Sequence, residues 1–550
     1  MCGICVLWGD GVTQIEHQRC LDALSPRGPD VSQSEMLLHD ATGQQVAIGF
    51  TRLHIRGTKE GAEQPFLMSD GRRVLCNGEI FNSDILIPQL GLTVAAGASD
   101  CAVIPALLER PGTSLADVCR LLDGDFAIVV VDLSAGTIEV GRDPYGVRPL
   151  YWAKGARWSG VASEIKGLPA DVMEISQIKP GTTRIFSLDV SQSVQIQRVW
   201  HQVPWLKVPI WGASESGLAA GGAALRQALE EAVNKRLTTV REVGACLSGG
   251  LDSSLVAAIA ARTLAAQGKR LHTYSVGMAG SPDLEHARLV AEHIGSIHHE
   301  KILTAEECLA AIPEVIKAIE TFDITTVRAS VGNWMVGQLV RRSTPDVKVV
   351  LNGDGSDEAL GGYLYMRAAP DTAAFEAETD RLLQEIHMYD VARSERSMAT
   401  HGLESRSPFL DRQFITVARS LPTEALMSSE RVMEKSVLRL AFADSGLLPE
   451  RVLWRRKEAF SDGISRAERS WFIMAREEGE RRAAEQQSDS GQFSVNPPKT
   501  GEALWYRLLW SDYFPQVAAA EVAPAMWMPR FIAGATDPSA RTLTALYRAV

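Results

Sequence analysis

Val243-Gly244-Ala245-Cys246-Leu247-Ser248-Gly249-Gly250-Leu251-Asp252-Ser253-Ser254 runs from an apolar strand pattern into a loop of glycines and hydroxyls. Val243–Leu247 reads as a buried strand and Leu255–Ala266 as a helix, with the loop between them. Two adjacent glycines let backbone N–H groups approach a ligand closely, and Ser248, Ser253 and Ser254 add donors. The following helix turns its positive end toward the same point, which predicts an anion site. There is no GxxxxGK[ST], so this is not the phosphate loop of kinases and GTPases. Asp252 would repel bare phosphate, and its presence makes sense where Mg²⁺ bridges carboxylate and phosphate oxygens.

Around this loop helices alternate with short buried strands. Leu225, Leu229, Val233 and Leu237 recur at helical spacing, and Thr273–Val276 and Val347–Leu351 read as further strands. Such alternation predicts an α/β domain with a largely parallel sheet, which binds ligands at the carboxyl ends of its strands. Gly277 closes one strand there, before Ser281-Pro282-Asp283. Val349-Val350-Leu351 leads into Asn352-Gly353-Asp354-Gly355-Ser356-Asp357-Glu358, then Gly361-Gly362-Tyr363. Three carboxylates at a strand end repel one another unless a cation or a cationic substrate group joins them. The glycine loop resembles the pyrophosphate loop of ATP pyrophosphatases, which cut ATP to AMP and pyrophosphate while adenylating an acceptor. Asparagine synthetases, GMP synthetases, argininosuccinate synthetases and tRNA-modifying enzymes share it, and the loop alone does not choose among them.

The first 190 or so residues have another texture. Cys2–Trp8, Gln45–Phe50, Arg73–Cys76, Ala127–Val131 and Thr137–Val140 read as strands punctuated by Gly, Asp and Ser. With Met1 removed, Cys2 owns a thiol and a free α-amine of pKa ~7.7–8.0, a nucleophile with its own base. Arg27-Gly28-Pro29-Asp30, Arg52-Leu53, Asn77-Gly78-Glu79-Ile80-Phe81-Asn82, Ser99-Asp100 and Gly141-Arg142-Asp143-Pro144-Tyr145-Gly146-Val147-Arg148-Pro149-Leu150 follow in order. Together these blocks resemble class II glutamine amidotransferases, whose fold is the four-layer N-terminal-nucleophile (Ntn) hydrolase sandwich. The resemblance implies that Cys2 attacks the glutamine amide, with Asn77 and the Gly78 N–H as oxyanion hole. It implies glutamine binding by the Arg52, Leu53, His54, Ile55, Arg56 run, Arg52 taking the α-carboxylate. Asp100 and the backbone around Glu79 would hold the α-amino group. Pro26 stands where the family usually has His, which bears on the local turn.

Composition sets the limits. The chain has 550 residues, 45% apolar and 22% charged, which excludes a disordered or fibrous protein. A net charge of −11 disfavours broad electrostatic binding to nucleic acid. No apolar run approaches the roughly 20 residues of a membrane span. Asp10, Glu16 and His17 interrupt any secretory h-region, so a soluble, cytoplasmic protein is expected. The eight cysteines are scattered, and Cys2-x-x-Cys5 lacks the partners of a zinc or redox site. His298-His299 lacks a third ligand and reads as a helix-to-strand junction. Trp200–Gly222 reads as a linker, and Arg476–Lys499, charged, then Gln/Ser-rich, then Pro-rich, as a stretch that holds a mobile loop.

The remaining blocks resemble glutamine-hydrolysing asparagine synthetases of the eukaryotic, animal-type branch along essentially the whole chain. They are Glu320–Ser330, His401–Asp411, Trp454–Gly463, Trp527-Met528-Pro529 and Ala535–Leu543. The fold class expected is thus two-domain, an α+β Ntn sandwich over 1–195 and a Rossmann-like α/β ATP pyrophosphatase domain over 215–535. The resemblance implies synthesis of asparagine from aspartate, glutamine and ATP through β-aspartyl-AMP, releasing glutamate, AMP and pyrophosphate. It places ATP at Leu247, Ser248, Gly249, Gly250, Asp252, Ser253, Ser254, Val276, Asn352 and Gly353. Aspartate falls to Thr325, Thr326 and Arg328, Mg²⁺ to Asp252 and Asp357, and Lys457 supplies a cation. Many relatives carry Ser-Gly-Glu where this chain has Asn352-Gly353-Asp354. Asp is one methylene shorter, yet other branches use Gly-Asp-Gly, so Asp354 is expected to keep the catalytic role. A homodimer is expected by family analogy alone.

Overall fold

The computed structural model describes residues 1–57, 62–190, 195–202, 205, 209–457, 463–465, 469–486, 490–532, 534, 537 and 539. The chain divides into two compact units that are not contiguous in sequence. The first comprises Met1–Gln202, Ala399–Glu404 and Ser511–Pro524, and the second Val203–Met398, Ser405–Trp510 and Ala525–Val550.

The strands of the first unit are β1 (Gly3–Gly9), β2 (Val31–His39), β3 (Gln44–Arg52), β4 (Phe66–Leu67), β5 (Arg73–Ile80) and β6 (Gly124–Asp132), followed by β7 (Thr137–Arg142), β8 (Tyr151–Lys154), β9 (Ser159–Ala162), β10 (Glu174–Gln177), β11 (Thr182–Ser187) and β12 (Gln195–Val199). They form two six-stranded sheets, in the orders β10-β8-β9-β1-β3-β2 and β12-β11-β7-β6-β5-β4. Strand alternation explains why the sheets stack. Ala127, Val129 and Val131 of β6 meet Ile4, Val6, Trp8, Val46, Ile48 and Phe50 of the facing sheet. Phe126, Ile128 and Val130 point the other way, against helices Val103–Leu108 and Leu115–Leu121. Helix Gln14–Ala23, capped by Thr13, packs on β1 and β3 and buries His17, Cys20 and Leu21. The helix–sheet–sheet–helix order is the expected sandwich. β2 was not foreseen, because Ser, Gln and Glu interrupt its apolar residues at the sheet edge.

In the second unit β13 (Glu242–Cys246), β14 (His272–Met278), β15 (Ile297–Leu303) and β16 (Val347–Leu351) lie parallel, in the order β15-β14-β13-β16. Helices Leu251–Ala265, Pro282–His293, Ala305–Ile319 and Ile324–Ser343 carry the crossovers. The strand order reverses between β13 and β16, so their carboxyl ends open a crevice. His298 and His299 sit in β15, and no metal-binding group of three His, Cys, Asp or Glu exists among the described residues. All eight cysteines are free. No described helix is long and apolar enough to cross a membrane.

Two expectations are corrected. The linker reading of Trp200–Gly222 overran a helix that starts at Glu215, capped by Ser214, and Gly221 and Gly222 are buried in it. The stretch read as holding a mobile loop is helical from Arg476 to Gln486, which confines that reading to the residues after Gln486. Glu478 pairs there with Arg481 and Arg482 at 2.5 and 2.8 Å, and Arg481 with Glu485 at 2.5 Å. One-turn pairs of this kind support a helix whose composition looks loop-like. Residues 487–489 of that stretch, Glu458–Asp462 of the Trp454–Gly463 block, and Ala535, Thr536, Pro538 and 540–543 of the tail block lie outside the described residues.

Candidate active sites

In the first unit, β1 begins one residue after Cys2, opposite the end of β3, since Gly3 pairs with Thr51. The Cys2 N–H donates to Asn77 Oδ1 at 2.9 Å. Asn77 is fully buried on β5, and its Nδ2 donor has no hydrogen-bond partner. A buried amide of this kind is a donor awaiting an acceptor. Arg27 Nε donates to the Cys2 carbonyl at 2.9 Å, and its guanidinium meets Glu164 at 2.5 Å. Burial pushes the Cys2 thiol up, against the nearby terminal ammonium, the Leu53 N–H and Arg52. Met1 is buried, with its ammonium 3.0 Å from Glu404 Oε2.

Arg52 is buried and donates to the Arg56 carbonyl at 3.1 Å. Leu53 and Ile55 are buried beside it. The His54 N–H donates to Asp30 Oδ2 at 2.7 Å, and its ring meets the Gly57 carbonyl at 2.6 Å. Arg56 is turned toward Asp84, 3.1 Å away. Asp100 Oδ2 accepts the Ile80 N–H at 2.6 Å, next to buried Glu79. A Cβ on Gly78 would stand 2.7 Å from Phe126 Cα, so only glycine fits between β5 and β6 at this point.

In the second unit, the glycine loop is closed by Ser248 Oγ and Ser253 Oγ, 3.0 Å apart. Gly249 has φ +69°, and a Cβ there would meet Ala287 N at 2.5 Å. Gly249 therefore shapes the loop, while Ser254 is fully buried; neither lines the cavity that Ser248, Gly250, Asp252 and Ser253 border. Leu247 and Val276 line it too, with the Leu247 N–H on the Tyr274 carbonyl at 2.9 Å. Asn352 and Gly353 complete this wall, Asn352 Nδ2 donating to Ser405 Oγ at 2.7 Å.

Asp252 and Asp357, far apart in sequence, converge on Lys435, whose ammonium is 2.7 Å from each. Lys457 adds an ammonium 2.6 Å from Asp357 Oδ2, and Ser356 Oγ donates to Asp252 Oδ1 at 2.7 Å. Burial alone would raise the Asp357 pKa; Lys435 and Lys457 outweigh it and hold the carboxyl well below the usual range. Asp354 behaves oppositely. Burial pushes its pKa up, although Arg393 stands 2.8 Å away and also pairs with Asp390 at 2.7 Å. The Glu358 carboxyl is likewise raised by burial, Asp390 and Asp357, and accepts the Tyr363 hydroxyl at 2.5 Å.

Thr325, Thr326 and Arg328 lie in the first turns of helix Ile324–Ser343. Thr325 and Arg328 border the cavity, and Thr325 Oγ1 has no hydrogen-bond partner. Thr326 does not border it: its N–H and hydroxyl both donate to Asp323 Oδ1, at 2.8 and 2.7 Å, as the helix cap. Arg328 pairs with Glu502 at 2.6 Å and Asp537 at 2.9 Å. Lys435, Arg393 and Glu502 were not foreseen, since no local pattern marks them, and Asp537, inside the Ala535–Leu543 block, was given no role at the site.

The comparisons with known proteins agree across the chain. A family model described as asparagine synthase matches residues 224–379 and 367–522, and one described as a glutamine amidotransferase domain matches residues 1–217. The chain is 38% identical over 571 residues to the asparagine synthetase (glutamine-hydrolyzing) of Gallus gallus, covering 99% of this chain and 98% of the relative. It is 37% identical over 568 residues to the same enzyme of Homo sapiens, covering 99% of both. A probable asparagine synthetase (glutamine-hydrolyzing) of Acanthamoeba polyphaga mimivirus is 35% identical over 563 residues, covering 99% of this chain and 100% of the relative.

Proposed function

The chain belongs to the glutamine-hydrolysing asparagine synthetases, and from that premise we propose how its residues divide the reaction. The enzyme is a ligase that uses ATP to make asparagine from aspartate, with nitrogen taken from glutamine.

In the glutaminase half, removal of Met1 exposes the Cys2 α-amine, which accepts the thiol proton. The sulfur then attacks the glutamine side-chain amide carbon. Negative charge on the amide oxygen is met by Asn77 Nδ2 and the Gly78 N–H, and the unpartnered state of the buried amide supports this role. Ammonia leaves carrying the proton, and water releases glutamate from the thioester. Arg52 holds the glutamine α-carboxylate, while Asp100 and the backbone at Glu79 hold its ammonium.

In the synthetase half, the aspartate β-carboxylate attacks the α-phosphorus of ATP and pyrophosphate departs, leaving β-aspartyl-AMP. Ammonia then attacks the β-carbonyl, AMP leaves, and Asp354 accepts the proton released by the attacking nitrogen. Burial raises its pKa above the ordinary aspartate value, which makes the carboxylate a stronger proton acceptor. Lys457 and Lys435 neutralise charge on the departing pyrophosphate. Mg²⁺ fits the donors present, since it takes one or two carboxylates with phosphate oxygens rather than a cage of protein ligands. Asp252 and Asp357 would hold it, and when bound it shields phosphate charge. Homodimerisation and a cytoplasmic location follow by family analogy.

The observation that carries this reading is the meeting of Asp252, Asp357 and Lys435 beside the glycine loop. Aspartate labelled with ¹⁸O in its β-carboxylate tests it. One labelled oxygen in AMP is expected; unlabelled AMP overturns the β-aspartyl-AMP route.

A further inference from the structure

Arg328 already carries two carboxylates. Glu502 accepts from Nε at 2.8 Å and from Nη2 at 2.6 Å, along one side of the guanidinium. Asp537 accepts from Nη1 at 2.9 Å and from Nη2 at 3.0 Å, across its end. A guanidinium has five N–H donors, so four are engaged and one Nη1 hydrogen remains. One hydrogen does not make the two-point clamp that arginine offers a substrate carboxylate.

The two partners are unequal. The Glu502 side chain is 1% exposed and also accepts the Tyr506 hydroxyl at 2.8 Å, so it belongs to the packed interior. Asp537 is 12% exposed and comes from the chain's last segment, where its Oδ1 also takes the Ser539 N–H at 2.8 Å. That segment reaches the cavity more than once. Trp527, Pro529 and Ser539 border it, and the Trp527 N–H donates to Asp323 Oδ2 at 2.8 Å. One turn from Arg328, the Thr325 hydroxyl faces the same space without a partner. The group on the end of Arg328 is therefore an aspartate side chain, delivered by the protein to the position that free aspartate needs.

We infer that Asp537 stands in for a carboxylate of the substrate aspartate, and that this tail residue leaves Arg328 when aspartate binds. The inference rests on the reading of Arg328 as an aspartate-binding residue. A tethered competitor acts at high effective concentration, so the apparent affinity for aspartate falls by the fraction of molecules in which Asp537 is seated. Glu502 keeps Arg328 oriented throughout, and the guanidinium end is exchanged between two chemically alike carboxylates.

Steady-state kinetics on the full-length enzyme, at saturating glutamine and ATP·Mg²⁺, test the exchange. Asp537→Asn keeps the shape but gives up the charge, and should lower the KM for aspartate on the order of tenfold without lowering kcat. Asp537→Glu keeps the carboxylate and should retain a KM close to the parent value. Hydrogen exchange at Asp537 and Ser539 should become faster when aspartate is added. An unchanged or increased KM in Asp537→Asn, or slower tail exchange with aspartate, overturns the inference. Arg328→Lys separates the two layers. A KM raised tenfold or more by Arg328→Lys, with no fall in Asp537→Asn, removes the inference alone; an unchanged KM in Arg328→Lys removes the reading beneath it.

Discussion

Lys435 places its ammonium 2.7 Å from Asp252 Oδ2 while its own backbone is left-handed, at φ 57°. A bulky residue takes that conformation at a cost of roughly 1–2 kcal/mol. The strain is held at the point where two acidic loops need a shared cation. Glycine would relax the backbone but leave Asp252 without its cation and Asp357 with Lys457 alone.

Lys435→Ala and Lys435→Gly separate these two effects. Both should reduce kcat/KM for ATP by at least about a hundredfold, since each removes a buried cation facing two carboxylates. Lys435→Gly should nevertheless be the more stable of the pair by about 1 kcal/mol, measured from urea midpoints. Equal stability would mean that the left-handed backbone stores no strain.

Asn77→Asp keeps an acceptor for the Cys2 N–H and deletes the unpartnered Nδ2 donor. Its glutaminase kcat should fall by about 10²–10³ with a small change in KM for glutamine. A larger effect on KM than on kcat would make Asn77 a ground-state contact.

The raised Asp354 pKa has a sign that kinetics can read. A base works ionised, so synthetase kcat should fall as pH drops through a value above the ordinary aspartate pKa of ~3.9. Arg393 pulls that value down. Arg393→Met should therefore move the acid limb to higher pH, on the order of one unit. Asp354→Ala should lower synthetase kcat by about 10²–10⁴, and full activity would remove Asp354 from the chemistry.

Asp411 is buried against Arg236 at 2.8 Å and also pairs with Lys235. Burial alone would raise its pKa, but Arg236 and Lys235 outweigh it and the folded value is lowered. The native state then binds its proton less readily than the unfolded chain. The pair stabilises fully above the unfolded value of ~3.9, and the benefit is lost as pH falls from there through the folded pKa. Asp411→Asn should flatten the fall in urea midpoint between pH 5 and 3 and cost about 3 kcal/mol at pH 7.

Much of both sites was legible because glycines and acids at strand ends have few structural excuses. Asp252 and Asp357, from blocks far apart in the chain, come together at Lys435, and Lys457 joins Asp357. Cys2 likewise meets Asn77. Lys435 escaped notice since its neighbours Glu434 and Ser436 give it no motif, and only tertiary folding brings it to Asp252. Thr326 is open to two readings for a related reason. Its hydroxyl can serve a ligand or a helix cap, and Asp323, three residues earlier, claims it for the cap. Arg328, expected near aspartate, lines the cavity, and the carboxylates on it come from residues 502 and 537, far away in the chain. Helix Trp471–Gln486 buries Trp471, Met474 and Ala475 at its start, but from Arg476 onward its residues are mostly charged and pair with one another, which hid its continuation.

The first unit borrows Ala399–Glu404 and Ser511–Pro524 from the far half of the chain. Glu404 lies 3.5 Å from Arg148, a fully buried cation of that unit. Gene fission between the two sequence halves would therefore take the Glu404 carboxylate away from a cation buried inside the amino-terminal fragment. Swapping glutaminase modules among relatives at that junction would mismatch two short inserts with their host. The workable unit of exchange is the whole chain, or a graft that carries residues 399–404 and 511–524 along with the amino-terminal part.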